Sequence, residues 1–331
     1  MSVSAGPLIK GLRRVTLCIY DESRRVSSKY CNLSKKVTNC KLRIVRIPYN
    51  GDTLPKLTHT RQSEVNKLAL KIIVPVKQVP EVADVKVNEE TGTLIRDGVP
   101  SILNPFDEYA VEAAIQLKEK YGGEVTILTM GPPQAKEALL KALAMGGDKA
   151  VHMTDRAFAG ADTWVTALTL AEQIKKMEYD LVICGKQAID GDTAQVGPEI
   201  AEILRIPQIC YVRHLELSED EKFVIAHSET DEGYDVIRAK MPVLLTATKG
   251  LNEPRLPNIM GIMQAKKKPM EEVNAETLGY DVDKLGLKGS PTQVRKVFPP
   301  EKKKGGIKIE AEDPKAAAKE LVEFLAAKGA I

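Results

Sequence analysis

Between Leu70 and Arg205 the chain alternates short apolar runs with amphipathic stretches, and few folds can accommodate that alternation. LKIIVPVKQV, EVTILTMG, AVHMTD and YDLVICG have the length and β-branched content of buried strands. Between them lie NPFDEYAVEAAIQLKEKYGG, GPPQAKEALLKALAMGG and DTWVTALTLAEQIKKM, each with helical spacing and a start or stop signal. Asn104-Pro105 opens the first, with Tyr109, Val111, Ile115 and Leu117 turned inward, and Gly122-Gly123 stops it. Asp162 is the candidate cap of the third. Strand–helix alternation of this kind predicts an α/β protein: a parallel sheet with helices on both faces.

The rest of the chain is read against this core. VKVNEETGTLIRDGVPSI predicts a loop-rich hairpin with turns at Thr91-Gly92 and Asp97-Gly98. QICYVRHLEL, KFVIAHSE, YDVIRAK and PVLLTAT read as strands, with SEDEK and TDEG as hairpin turns, and the hairpin is an antiparallel addition at the rim. After Asn252 the chain is rich in Pro, Gly and Lys and is expected to lie against something else. AEDPKAAAKELVEFLAAKGAI closes it as an amphipathic helix that either embraces a partner or packs back on its own domain.

The 331 residues carry a net charge of +3, but unevenly. Residues 1–66 hold 13 Lys/Arg and 4 Asp/Glu, or +9, so the remainder carries −6. A basic nucleic-acid surface is therefore not a property of the main body. Residues 1–67 are expected to be a foreign or disordered extension. They lack the apolar centre of a signal peptide, and their acidic residues weaken a transit-peptide reading. The natural start is expected near Val65 or Leu68. No apolar run approaches the roughly 18–20 residues that span a bilayer. The expected location is the cytoplasm, with membrane association only through partners.

Cys18, Cys31, Cys40, Cys184 and Cys210 form no C-x-x-C pair, so neither zinc nor a disulfide framework is indicated. His59, His152, His214 and His227 stand in unrelated settings and read as structural or exposed. G-x-S-x-G, G-x-G-x-x-G and Walker A patterns are absent, and no catalytic residue is assigned. The candidate ligand crevice is instead the carboxyl edge of the sheet: Pro75–Val79, Asn104–Asp107, Met130–Pro133 and Gly185–Pro198.

Within it, GKQAIDGDTAQVGPEI presents strand end, loop and helix start, a geometry that offers main-chain N–H groups to an anion. The N–H groups of Gly191 to Val196 are expected to take a phosphate. Asp190 and Asp192 would repel it at close range, so they are expected to face ribose hydroxyls or cap the helix. Asp192 with Gln195 suggests a capping box; Pro198 suggests a start nearer Gly197. An ordinary strand-to-helix turn is the competing reading. Lys266 to Lys268 read as a docking patch or a solvated charge run.

LNPFDEYAVEAA, ALAMGGDKAV, GKQAIDGDTAQVGP, KMPVLLTAT, LNEPR and LPNIM…AKKK, in that order, resemble the β subunit of electron-transfer flavoprotein (ETF) over about residues 68–331. The resemblance implies an adenine-nucleotide α-hydrolase-like (Rossmann-like) domain over 68–250, a recognition loop and C-terminal arm over 251–331, and a heterodimer with an α subunit. Conventional members hold AMP in β and share a redox FAD with α, taking electrons from acyl-CoA dehydrogenases to an ETF:quinone oxidoreductase. Bifurcating members hold a second FAD in place of AMP, oxidise NADH and divide its electrons between ferredoxin or flavodoxin and quinone.

NEETGTLIRDGVPSILNP, TILTMGPPQA and MTDRAFAGADT are more similar to the Fix-type bifurcating branch. GDTAQVGP replaces the D-D-x-N-Q-T of AMP-binding relatives, and the small Gly191 and Ala194 would leave room for a flavin-bearing diphosphate. By motif the nucleotide contacts fall on Pro75, Asn104, Asp107, Met130, Gly185, Lys186, Gln187, Asp190, Gly191, Asp192, Thr193, Ala194, Gln195 and Val196. Asp107 stands where the mitochondrial form has cysteine. Leu251, Asn252, Glu253, Pro254 and Arg255 match the partner-recognition loop, although LPNIM follows Arg255 at once and GIMQ precedes the lysines. Ser228 replaces a usual basic residue and is assigned no role. A stand-alone adenine-nucleotide binder or ATP-pyrophosphatase on the same sheet is a further reading; the pyrophosphatase form would want S-G-G-x-D-S after the first strand, where this chain has PVKQVPE.

Overall fold

The computed structural model describes residues 42–48 (backbone course), 69–81, 100–295 and 313–331. The chain divides into two units, Met1–Val85 with Arg96–Val294, and Lys86–Ile95 with Arg295–Ile331. In order, the strands are β1 (Leu42–Pro48), β2 (Leu70–Pro75), β3 (Gln78–Pro80), β4 (Ser101–Leu103), β5 (Gly123–Met130), β6 (Lys149–Met153), β7 (Leu181–Gly185), β8 (Gln208–Leu217), β9 (Phe223–Thr230), β10 (Gly233–Lys240), β11 (Val243–Ala247) and β12 (Met270–Val273). The helices are α1 (Pro105–Tyr121), α2 (Lys136–Met145), α3 (Thr163–Ile174), α4 (Val196–Leu204), α5 (Ile259–Ala265), α6 (Ala275–Leu278), α7 (Gly286–Gly289) and α8 (Pro314–Ala327).

The first unit is built on one ten-stranded sheet, ordered β1-β10-β9-β8-β11-β7-β2-β5-β6-β12. From β8 to β12 every neighbouring pair is parallel; β8, β9, β10 and β1 form the antiparallel rim. The α/β reading therefore holds. β2 and β7 are central and buried on both faces, which is why LKIIVP and LVICG read as continuous apolar runs. On one face Val111, Ala114 and Ile115 of α1 and Leu139 and Leu143 of α2 meet the sheet. On the other face Leu170, Ala171 and Ile174 of α3 and Ile200 of α4 do so. Asp162 caps α3 as its sequence predicts, accepting the Val165 N–H at 3.0 Å.

Three expectations are corrected. LRIVRIP, within residues 1–67 read as a foreign or disordered extension, is β1, paired along its whole length with β10. The stretch after Asn252 was expected to be poorly able to bury itself. Instead it sends β12 alongside β6, with Val273, Leu278 and Leu285 at most 3% exposed. Three such side chains contribute on the order of 2 kcal/mol each, enough to hold a Pro- and Gly-rich segment against the sheet. Lys268 is not part of a solvated run either: its Nζ donates to the carbonyls of Leu143 (2.9 Å) and Gly147 (2.6 Å) at the end of α2, leaving Lys266 and Lys267 exposed.

Of the expected hairpin only its last residues are described: Ser101 and Ile102 fall in β4, which pairs with β3, a short strand at the end of the stretch read as the first strand; the turns at Thr91-Gly92 and Asp97-Gly98 lie outside the described residues, as do 1–41 and 49–68. In the second unit α8 starts at Pro314, with the Asp313 side chain accepting the Lys315 N–H at 3.1 Å. No helix among the described residues is long and apolar enough to cross a membrane.

Candidate functional site

The carboxyl ends of β2, β5 and β7 and the start of α1 meet at one place, and Gly185 makes the meeting possible. A Cβ on Gly185 would overlap the Asp107 carboxylate and the backbone of Phe106 and Asp107. The first turn of α1 can therefore sit directly on the end of β7. Asn104, fully buried, then ties α1 to the following loop: its Nδ2 donates to the Gln187 carbonyl (2.9 Å), and its Oδ1 accepts the Ile189 N–H (3.2 Å). Its own N–H donates to the Lys77 carbonyl at 2.9 Å. Asp107, 6% exposed, accepts the Lys77 N–H at 2.7 Å through Oδ2. Burial pushes its carboxyl up to about 7, although the N–H groups of Lys77 and Gly185, the Asn104 side chain and the Lys77 charge all favour the anion.

Two of the candidate positions thus hold three loops together. Pro75 is buried at the end of β2, and Met130 is half-buried at the end of β5. Between them the Thr129 hydroxyl donates to the Val76 carbonyl at 2.7 Å and fixes the Pro75–Lys77 turn.

The loop after β7 is more open. Asp190, Gly191, Asp192, Thr193 and Gln195 are exposed, and Ala194 and Val196 half-buried. A Cβ on Gly191 would have no other atom within 4 Å. Asp192 and Ala194 take the left-handed conformation (φ 51° and 52°), so the chain reverses twice before α4. Among the described residues no hydrogen bond takes up the N–H groups of Gly191, Thr193, Ala194, Gln195 or Val196. The Asp192 N–H, expected to be available, is donated to the Ala188 carbonyl at 2.9 Å.

The carboxylates are not where their sequence places them. α4 begins at Val196 behind Gln195, with no side-chain cap, so the Asp192–Gln195 capping box does not form and the helix starts next to Gly197, the alternative that Pro198 suggested. Asp192 instead accepts the Gln187 Nε2 at 2.8 Å. Asp190 pairs with the Lys77 Nζ at 2.7 Å. Both carboxylates are held, and the N–H groups beside and after them stay unclaimed among the described residues. Lys77 escaped sequence reasoning because its partner lies 113 residues away.

The recognition-loop residues lie along α1. Asn252 Nδ2 donates to the Tyr109 carbonyl at 2.9 Å. Arg255 forks across Glu112 (Nε–Oε2 2.8 Å, Nη2–Oε1 3.0 Å) and Glu119 (Nη1–Oε1 2.6 Å). The guanidinium holds both carboxyls below the usual range, and they raise Arg255 further. Leu251 packs at the edge of the core, Glu253 is exposed and Pro254 half-buried.

Elsewhere, His214 and His227 are not unrelated: they are cross-strand partners with ring centroids 4.8 Å apart. Cys184 is buried, and burial raises its thiol pKa. Cys210 is the third residue of β8. No group of His, Cys, Asp and Glu suited to a metal is present among the described residues.

A mostly parallel sheet whose carboxyl edge carries a loop of unclaimed main-chain donors at a helix start defines an α/β protein with an open crevice at its strand ends. Within that class, residues 91–278 match the electron transfer flavoprotein domain. The chain is 51% identical over 257 residues to an electron transfer flavoprotein subunit beta of Thermoanaerobacterium thermosaccharolyticum, covering 77% of this chain and 98% of that one. It is 48% identical over 261 residues to the caffeyl-CoA reductase-Etf complex subunit CarD of Acetobacterium woodii (78% and 99%). It is 42% identical over 256 residues to protein FixA of Bradyrhizobium diazoefficiens (74% and 88%). The chain belongs to the electron transfer flavoprotein family as a β subunit with Fix-like relatives.

Proposed function

We propose that this β subunit binds FAD in the crevice and works, with an α subunit carrying a second FAD, as a bifurcating electron carrier. NADH is the hydride donor, ferredoxin or flavodoxin one acceptor, and a quinone-side partner flavoprotein the other. The observation that carries the reading is the row of unclaimed N–H donors at Gly191 and Thr193 to Val196. They lie in an open stretch leading into α4, beside and after two carboxylates held by Lys77 and Gln187. The residues present fit a diphosphate: unclaimed main-chain donors, one acid paired with Lys77 and the other held by the Gln187 amide, and open space above Gly191.

In this reading Gly185 to Val196 hold the diphosphate, and Pro75, Asn104, Asp107 and Met130 form the adenosine flank. Bound FAD supplies the hydride and single-electron chemistry; the chain supplies binding, orientation and local charge. Leu251 to Arg255 and the chain through α8 would meet partner proteins. The likeness to CarD, named for its complex with a reductase, and to FixA supports the bifurcating branch over the conventional one.

Co-purification with the α subunit, nucleotide extraction and NADH titration test the reading. The expected result is two FAD per heterodimer, one of them bleached by substoichiometric NADH. One FAD with one AMP, inert to NADH, would instead assign the conventional role. A chain that purifies alone and binds adenine nucleotide would indicate a stand-alone binder.

A further inference from the structure

We propose that Tyr211 is the residue by which the crevice separates a dinucleotide from a mononucleotide, its ring meeting the part of the ligand beyond the phosphates. The inference rests on the nucleotide reading above and assigns one wall of that site.

β8 is irregular at one place against both of its neighbours. Against β11, Ile209 and Val212 pair with Leu245 and Ala247, three steps against two; against β9, Val212 and His214 pair with Ser228 and His227, two against one. Tyr211 lies inside this bulge with φ 55°, a conformation that bulky side chains avoid.

The irregularity is held rather than tolerated. The Tyr211 N–H donates to the Thr246 hydroxyl oxygen (2.9 Å), the Ser228 hydroxyl donates to the Cys210 carbonyl (2.7 Å), and the Thr248 hydroxyl and N–H both donate to the Val212 carbonyl (3.1 and 3.2 Å). Three hydroxyl side chains thus satisfy the backbone groups that the break exposes. A bulge re-aims a side chain, and a strained residue persists only where its surroundings enforce it. Here the side chain re-aimed is an aromatic ring.

The ring is brought to the crevice. Lys186, directly after Gly185 at the end of β7, places its Nζ 5.0 Å from the Tyr211 ring centroid. Thr246, which holds the Tyr211 N–H, also packs beneath the first turn of α4: a Cβ on Gly197 would lie 3.0 Å from its Cγ2. Tyr211 is therefore anchored on the β8–β11 side of the α4 start, whereas Asn104, Asp107 and Met130 stand on the β2–β5 side. A mononucleotide with its phosphate at α4 extends to one flank only. A dinucleotide extends to both, and its second arm meets Tyr211 and Lys186. Tyr211 is 39% exposed, and a phenol face beside an ammonium group suits a flat heteroaromatic system carrying carbonyl oxygens, as in a flavin.

The test uses the αβ heterodimer stripped of the β-site nucleotide and titrated calorimetrically with FAD and, separately, with AMP. Tyr211→Ala is expected to weaken FAD about tenfold, the size of one stacking contact, and to leave AMP within about twofold. Tyr211→Phe should restore FAD binding, and flavin fluorescence quenched in the wild type should recover in Tyr211→Ala. Tyr211→Gly, which adopts φ 55° without strain, replaces the alanine variant if that one folds poorly. FAD affinity indifferent to loss of the ring, or equal losses for FAD and AMP, would overturn this inference alone. Wild-type heterodimer that binds neither nucleotide would overturn the nucleotide reading and this inference with it.

Discussion

Lys77 Nζ lies 2.7 Å from Asp190 Oδ1, joining the turn after β2 to the loop after β7 across the mouth of the crevice. Half of the lysine side chain is exposed, so the pair contributes at most about 1 kcal/mol to stability. Its larger effect is on charge. With Lys77 removed, Asp190 stands uncompensated beside donors suited to a phosphate. Lys77→Ala should leave the melting temperature within about 2 °C and weaken nucleotide binding roughly tenfold. The loss should shrink as salt rises, and Lys77→Ala/Asp190→Asn should recover most of it. Calorimetric titration at two ionic strengths checks this; a large drop in melting temperature with unchanged affinity would contradict it.

Gly185 sets how close α1 approaches β7. Gly185→Ala places a methyl group where the Asp107 carboxylate and Phe106 backbone already are. The helix start must shift, at a cost of about 3 kcal/mol. The shift also loosens the Asn104 bonds to Gln187 and Ile189, so nucleotide retention should fall with stability. Denaturant midpoints and nucleotide content after gel filtration report the two effects, which should move together.

What was legible in the sequence divides along physical lines. β2, β5, β6 and β7 could be read because strands buried on both faces leave continuous apolar runs, and α1 and α3 because Pro105 and Asp162 mark their starts. The register of the antiparallel rim was not legible, since the bulge around Tyr211 depends on hydroxyls at Ser228, Thr246 and Thr248 from two other strands. The loop after β7 could be located but its charges could not be placed: Asp192 beside Gln195 resembles a capping box, yet Gln187 and Lys77 claim the two carboxylates first. β12 escaped notice because its MEEV offers almost no apolar signal and is held by its neighbour, β6.

Arg255 engages both Glu112, whose side chain is only 4% exposed, and Glu119, which is 54% exposed. The buried partner decides the energetics. Arg255→Ala leaves Glu112 charged without its counter-ion and should cost about 3 kcal/mol, and Arg255→Lys should recover only part because it cannot reproduce the fork. Glu119→Gln should cost less than about 1 kcal/mol. Thermal unfolding of the four proteins gives the ranking; equal effects for Glu112→Gln and Glu119→Gln would argue against it.

Asp107 makes stability depend on pH in the direction opposite to most carboxylates. Its folded pKa is raised from 3.8 to about 7, so the folded state favours the protonated acid. That contribution is fully present below pH 3.8 and is lost as pH rises to about 7, where the buried group ionises. Asp107→Asn, neutral throughout, removes this term. Relative to the variant, the wild type should lose stability between about pH 4 and pH 7, by up to about 4 kcal/mol, and the difference should level off above that. The Asn side chain still offers an oxygen to the Lys77 N–H, so any fixed cost of substitution shifts the difference without changing its slope. Denaturant midpoints of both proteins, nucleotide-free, across pH 4 to 8.5 measure it. A wild type that gains on Asp107→Asn as pH rises would mean that the carboxylate is stabilised as the anion, and that the Lys77 and Gly185 N–H groups outweigh burial.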